Sequence, residues 1–217
     1  MRLLSVSLDF EGRWALLIGA GVVGRRKLGA LLEAGARVRV VEPRPASWLL
    51  DLAAEGLLLL EKVFLDSFLD DEPWVFVASE VDPEVANIVA MARQRKLWVN
   101  VASLPPHSNF FLPAVAKDEP FRLTVSTGGA SPALAARVAK ELKKTYAGYG
   151  NFCRLLARVR PLVLASELDE AQRRRIFANL AQDLSLVRLV NQGVEWAILE
   201  RLEELLAPAR LPADFVL

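Results

Sequence analysis

The apolar positions of the first hundred residues fall into short runs separated by stretches of helical spacing. Trp14 to Ile18 is a compact apolar run that feeds a set of glycines, and Leu28 to Leu32 then carries helical spacing as far as Gly35, a natural helix stop. Val38 to Val41 predicts a second strand, Leu57 to Leu60 a third and Trp74 to Ala78 a fourth. Between the third and fourth, Asp66, Asp70, Asp71 and Pro73 predict a short helix or a loop. Asp82 predicts a helix cap with Pro83 at the first helical position, the helix running to about Lys96, and Leu97 to Val101 predicts a fifth strand. Strands alternating with helices predict an α/β fold with a doubly wound parallel sheet.

From Phe110 onward the pattern changes. Phe121 to Ser126 alternates as a strand does, Thr127-Gly128-Gly129-Ala130 predicts a turn, and Ser131-Pro132 predicts the cap of a helix running through Lys140 to about Tyr146. Beyond Gly150 the chain reads as all helix, with Asp169 as a cap and Pro161, Pro208 and Pro212 as punctuation. The expected organisation is an α/β domain over 1–113, a small α+β segment over 114–148 and an all-helical domain over 149–217.

Composition narrows the classes of function. With 53% hydrophobic residues, 217 residues suffice for a packed core, and disorder is not the default. The 27 lysines and arginines stand against 26 acids, so neither a nucleic-acid partner nor a polybasic membrane anchor is expected, and any anionic ligand must meet a local patch. Cys153 has no second cysteine to pair with, and His107 is the sole histidine; no metal site is expected, and a reducing cytoplasm fits best. The apolar run before Asp9 is too short for a signal peptide, and Leu57 to Leu60 is closed by Glu55 and Glu61, so no membrane association is expected. The five tryptophans and the Phe110-Phe111 pair are expected in the core, and Arg173-Arg174-Arg175 on a solvated helix face.

Gly19-Ala20-Gly21-Val22-Val23-Gly24 is a GxGxxG that follows a predicted strand and opens a predicted helix, the context that gives this pattern physical meaning. Gly19 permits the tight turn, Gly21 lets backbone approach a pyrophosphate, and Gly24 lets the helix pack close to the sheet. Val22 and Val23 open the helix whose amino terminus faces the phosphates. A plain structural turn is the alternative. Glu42, eighteen residues after Gly24 at the carboxyl end of the second strand, shifts the balance, because an acid there accepts hydrogen bonds from the adenosine ribose. NAD is therefore expected over NADP, although Arg44 stands close enough in sequence to meet a 2′-phosphate. Ser79, directly after the fourth strand, joins the cofactor set, and the first domain reads as Rossmann-type.

Further stretches carry a family resemblance: Leu8-Asp9-Phe10-Glu11-Gly12-Arg13, Gly19 to Gly24 with Arg26-Lys27, Leu31 to Ala36, Asn100-Val101, Phe110 to Pro113, and Ser126-Thr127-Gly128-Gly129-Ala130-Ser131-Pro132. Together they resemble the family of precorrin-2 dehydrogenases and sirohydrochlorin ferrochelatases, which also forms the amino-terminal half of siroheme synthases. The resemblance covers residues 1 to 147 well and the helical tail in general character. It implies that NAD⁺ takes a hydride from precorrin-2 to give sirohydrochlorin, and that some members then insert Fe²⁺. It also implies a homodimer formed through the segment after the Rossmann domain, with the terminal helices closing over the cleft.

A tetrapyrrole rich in carboxylates needs cations and backbone donors. Candidates for substrate binding are Arg26 and Lys27 beside Arg25, Asn100, Lys117, and the turn of Ser126, Thr127, Gly128 and Gly129 with the capping Ser131; a solvated helix face and a plain cap are the alternatives. One departure bears on catalysis: the resemblance places an aspartate, the family's general base, at the position of Ser103. A serine hydroxyl is no base near pH 7 without an activating neighbour, though it can orient a substrate. Hydride loss depends chiefly on placement and can survive the change, whereas metal insertion must strip pyrrole N–H protons. Dehydrogenation is expected to be retained and chelation to be weak or absent; a chelatase, or a non-catalytic carrier or sensor, are the rival readings. His107, four residues past Ser103, has the pKa class for proton transfer, with an exposed loop histidine as the alternative.

Overall fold

The computed structural model describes residues 3–80, 82–207, 209, 212 and 215. Residues 4–112 form one compact unit and the chain from 113 onward another.

The first unit is built from β1 (Trp14–Ile18), α1 (Val22–Glu33), β2 (Arg37–Val41), α2 (Ser47–Ala54), β3 (Leu59–Glu61), α3 (Phe68–Asp71), β4 (Trp74–Val77), α4 (Pro83–Gln94) and β5 (Trp98–Val101). All five strands are parallel, in the order β3-β2-β1-β4-β5. Side chains alternate across the sheet. Leu16, Ile18, Val75, Val77, Val99 and Val101 enter a core with Val85, Ile88 and Val89 of α4, and Ala15, Leu17, Val38, Val40 and Phe76 enter another with Leu28, Leu31 and Leu49 of α1 and α2. With both faces covered, the strands read as continuous apolar runs, which is why the pattern locates them. The chain leaves β1 toward β2 and later crosses back to place β4 on β1's other side. That reversal puts a topological switch point at the carboxyl ends of β1 and β4, where open α/β sheets bind their ligands.

Two elements of the first unit depart from the sequence pattern, and one cap agrees with it. The helix α2 occupies a stretch to which the pattern assigns nothing: it is short, follows Pro43 and Pro45, and leaves only Leu49 fully buried. The third strand begins at Leu59 instead of Leu57, because Leu57 N–H returns to the Leu52 carbonyl at 3.0 Å to close α2. Asp82 does cap α4, its carboxylate accepting from Val85 N–H at 2.9 Å with Pro83 at the first position.

The second unit begins with the antiparallel pair β6 (Ala114–Asp118) and β7 (Phe121–Val125), followed by α5 (Pro132–Thr145), α6 (Tyr149–Ala165), α7 (Glu170–Gln182), α8 (Leu184–Gln192) and α9 (Glu195–Leu206). The small buried side chains Ala116, Ala135 and Ala139 let α5 lie close on the pair. The helices α6 to α9 enclose a core of Phe152, Leu155, Val159, Val163, Ile176, Leu180, Leu186 and Leu202. Asp169 and Gln172 form a reciprocal capping box.

Pro161 corrects the sequence reading, since it lies inside α6 and ends nothing. It sits on the exposed face, and Val159 and Val163 on either side of it are fully buried, so core packing carries the helix through the missing N–H. Pro208 lies outside the described residues. The solvated-face reading of the arginine run holds for Arg174 and Arg175 and fails for half-buried Arg173, whose Nη1 reaches the Leu164 carbonyl at 3.3 Å.

Asp118 ties the β6–β7 pair to α6, its Oδ2 accepting from the N–H groups of Gly148 at 2.6 Å and Gly150 at 3.0 Å. Asp118→Ala leaves both donors without that partner and should cost about 2–4 kcal/mol. A thermal melt followed at 222 nm that does not move would contradict this role.

Candidate dinucleotide-binding site

At the switch point the sequence pattern becomes geometry. Gly19 ends β1 with φ +87°, its N–H on the Val41 carbonyl at 3.0 Å, and a Cβ built there would stand 2.7 Å from the Ser79 backbone nitrogen. A Cβ on Gly24 would stand 2.1 Å from the Gly19 carbonyl oxygen, so α1 packs onto the turn only because Gly24 has none. Gly21 differs from both. Its φ of −64° suits any residue, and a Cβ there meets nothing within 4 Å. The room beside Gly21 is therefore open.

The amino terminus of α1 faces this room without a side-chain cap. Arg25 N–H makes the first helical bond, to the Gly21 carbonyl at 2.8 Å, so the N–H groups of Val22, Val23 and Gly24 precede the helical ladder. The Val22 side chain is 91% exposed and Val23 is exposed beside it. Such a terminus stabilises an anion.

Glu42 stands half-buried just past the tip of β2. One carboxylate oxygen accepts from Ala20 N–H at 2.9 Å and the other from Arg44 N–H at 3.2 Å. These bonds fix the carboxylate's orientation beside the glycine turn and leave lone pairs for a ribose diol. Ala20 N–H carries no sequence signature, because any residue supplies it. On the other side of the turn, Ser79 Oγ is buried without a hydrogen-bond partner. A buried hydroxyl left orphaned beside the glycine turn fits a site shaped for a polar ligand. The open room at Gly21, the bare helix terminus, the oriented carboxylate and the orphan hydroxyl together fit a dinucleotide.

The other expected residues divide. Arg26 is exposed, while Arg25 lies over the Trp48 ring with Cζ 4.8 Å from its centroid. Lys27 is the clear correction: expected as a cation for an anionic substrate or on a solvated face, it is 8% exposed, and its ammonium donates to Asn100 Oδ1. Burial, assisted by the neighbouring charge of Arg26, holds its pKa down to about 8. The signal was present in the spacing, since Gly24, Lys27, Leu28 and Leu31 fall on one buried helical stripe. Asn100 is buried as well and donates to the Phe110 carbonyl at 2.9 Å, so both groups are engaged within the fold. Ser103 and His107 are exposed on the segment that follows β5, His107 in a short 3₁₀ turn over Pro105–His107.

In the second unit, half-buried Lys117 on β6 is paired in register with Arg122 on β7. The turn after β7 holds Gly128 and Gly129 at φ +62° and +88°. Its hydroxyls serve the turn itself: Thr127 Oγ1 accepts from Ser131 N–H at 3.0 Å, Ser126 Oγ from Gly128 N–H at 3.3 Å, and Ser131 Oγ caps Leu134 N–H at 3.2 Å. Two of the expected backbone donors, Gly128 and Ala130, are thereby engaged. Among the described residues, no group of three or more His, Cys, Asp or Glu side chains is placed to hold a metal ion, and no helix is long and apolar enough to cross a membrane.

The two inner glycines should respond differently to substitution. Gly21→Val should leave the melting temperature unchanged and weaken NAD⁺ binding at least about tenfold, whereas Gly24→Ala should lower both. Equal NAD⁺ affinity in Gly21→Val and the unaltered chain, measured by calorimetry, would show that the open room is not the ligand's.

Comparison with known proteins agrees with this geometry. The NAD_binding_7 family, described as "Putative NAD(P)-binding", matches residues 6–114. Siroheme synthases from Methylococcus capsulatus and Enterobacter sp. (strain 638) are 32% and 30% identical over 89% and 94% of the chain. The chain spans 41% and 45% of their lengths, less than half of these relatives. A solved structure described as SirC, precorrin-2 dehydrogenase, superposes with a TM-score of 0.72 at 25% identity, over 89% of this chain and 99% of that one. By the match over its first half, and with the glycine turn and Glu42 in place, the chain belongs to this NAD(P)-binding family.

Proposed function

We propose that this protein is an NAD-dependent dehydrogenase that oxidises precorrin-2 to sirohydrochlorin, a step of siroheme synthesis. The observation that carries the reading is the Glu42 carboxylate, oriented by Ala20 N–H at 2.9 Å beside a turn with open room at Gly21. The structural likeness to a precorrin-2 dehydrogenase along nearly all of that chain supports the substrate. A carboxylate at this place favours an unmodified ribose diol and repels a 2′-phosphate, which selects NAD.

Bound NAD⁺ supplies the hydride acceptor. The chain's own part is to hold and orient. The N–H groups of Val22, Val23 and Gly24 at the α1 terminus would hold the pyrophosphate, Glu42 would accept from the adenosine ribose, and Ser79 Oγ offers the hydroxyl that the fold leaves unpaired. Placing the donor carbon about 3–3.5 Å from the nicotinamide supplies much of the rate. For the substrate's carboxylates the first unit offers exposed Arg26; within the second unit, Lys117 and the Ser126–Ser131 turn are the candidates. Ser103 orients the macrocycle, and the proton released with the hydride passes to water or to a substrate carboxylate, with His107 as an alternative acceptor.

The segment 114–148 is proposed as the contact of a homodimer. With α5 packed on the β6–β7 pair, Val115 of β6 and Leu134 of α5 remain exposed apolar side chains on this segment. The reading places the enzyme in the cytoplasm, where Cys153 stays reduced.

Mixing precorrin-2, NAD⁺ and the protein should produce NADH absorbance at 340 nm together with sirohydrochlorin. Absence of NADH at substrate saturation would leave a binding protein in place of an enzyme. Ser103→Asp should raise turnover about tenfold or more if the missing carboxylate limits the rate, and should confer siroheme formation from sirohydrochlorin and Fe²⁺. Siroheme formation by the unaltered chain well above the uncatalysed rate would refute the assignment of chelation to a carboxylate at this position.

A further inference from the structure

The buried ammonium of Lys27 has no part in the binding scheme above, yet it lies on the helix that opens the cofactor site. Its Nζ donates to Asn100 Oδ1 and stands 5.7 Å from the centroid of the Phe76 ring. Asn100 Nδ2 passes the link to the Phe110 carbonyl. Along the outer edge of β5 the returning chain is laced to the strand: Val99 N–H donates to Asn109 Oδ1 at 2.7 Å, Asn109 N–H to the Val99 carbonyl at 2.9 Å, and Val101 N–H to Ser108 Oγ at 2.8 Å. A continuous path thus runs from α1 through β5 to the loop 102–110, which carries Ser103 and His107.

Burying an ammonium is costly, and an apolar side chain of similar length would fill this stripe of α1 with less penalty. Lys27 stands in the second turn of the helix whose uncapped amino terminus opens the cofactor site. We propose that Lys27 is a positioning residue for the dinucleotide: through Asn100 it fixes the first turns of α1 against β5 and the 102–110 loop, and it sets a buried positive charge behind the pyrophosphate site without touching the ligand. The proposal rests on the NAD reading given above.

The groups acting on Lys27 are Arg26 from its own helix, Asn100 from β5 and the Phe76 ring from β4. Burial and Arg26 bring its pKa down to about 8. Above that pH the neutral amine keeps an ordinary hydrogen bond to Asn100 and loses both its attraction to the ring and its field. Cofactor affinity should therefore be full below pH 8 and fall as pH rises through that value.

The test is calorimetric titration of NAD⁺ into the full chain between about pH 6.5 and 9.5, in the unaltered protein, Lys27→Met and Asn100→Asp. Lys27→Met should bind about tenfold more weakly at pH 7, with no further loss at high pH. Asn100→Asp sets a carboxylate beside the ammonium and should move the alkaline loss upward by about one pH unit or more. That shift is a readout a merely structural strut would not give, and it decides the matter if Lys27→Met does not fold. A folded Lys27→Met with the unaltered affinity and pH course, or an Asn100→Asp alkaline limb that stays in place, overturns the proposal alone. No NAD⁺ heat from the unaltered chain at pH 7 overturns the NAD reading and this proposal with it.

Discussion

Gly19 ends β1 with its α-carbon against the backbone of Ser79, and Gly24 brings α1 down onto the Gly19 carbonyl. Neither position has space for a Cβ, so strand, turn and helix are held at one separation, and that separation aims the amino terminus of α1 along the open side of Gly21. The sheet order places the same point between β1 and β4, where the chain reverses its direction of growth. The uncapped helix terminus, the oriented Glu42 carboxylate and the orphan Ser79 hydroxyl all depend on this close approach.

Two charged side chains complement the turn in opposite ways. Glu42 is anchored by backbone amides in reach of solvent, and its carboxylate remains available to a ligand. Lys27 is withdrawn from solvent and donates to Asn100. The first is proposed to discriminate between cofactors by direct contact. The second is assigned an indirect influence, through the seating of α1 and the field behind the phosphates. In the second unit, the hydroxyl oxygens of Ser126, Thr127 and Ser131 accept backbone N–H groups and so hold the turn after β7 in shape, and Thr127 Oγ1 also donates to the Ser131 carbonyl at 3.1 Å.

How much of this was legible in the sequence follows from which forces write to it. Strands covered on both faces appear as apolar runs, and caps such as Asp82, Ser131 and Asp169 stand at fixed offsets from their helices, so these were readable. Short α2 and the weakly apolar β6 left little periodic trace, and Pro161 misled because burial of Val159 and Val163 overrides a local break. In the site, the glycines and Glu42 declared themselves through spacing. Lys27 did not, because lysine reads as a solvated residue unless the buried stripe it occupies is counted. Contacts made by backbone atoms, as at Ala20 and Arg44, leave no residue-type signal at all.

The most direct measurement of the central claim is a paired calorimetric titration of the unaltered protein with NAD⁺ and with NADP⁺. Saturable heat with NAD⁺ and binding of NADP⁺ weaker by at least about tenfold is the expected result, since the anchored Glu42 carboxylate accepts the diol and opposes the extra phosphate. No heat with NAD⁺ at millimolar concentration, or tighter binding of NADP⁺, would contradict it.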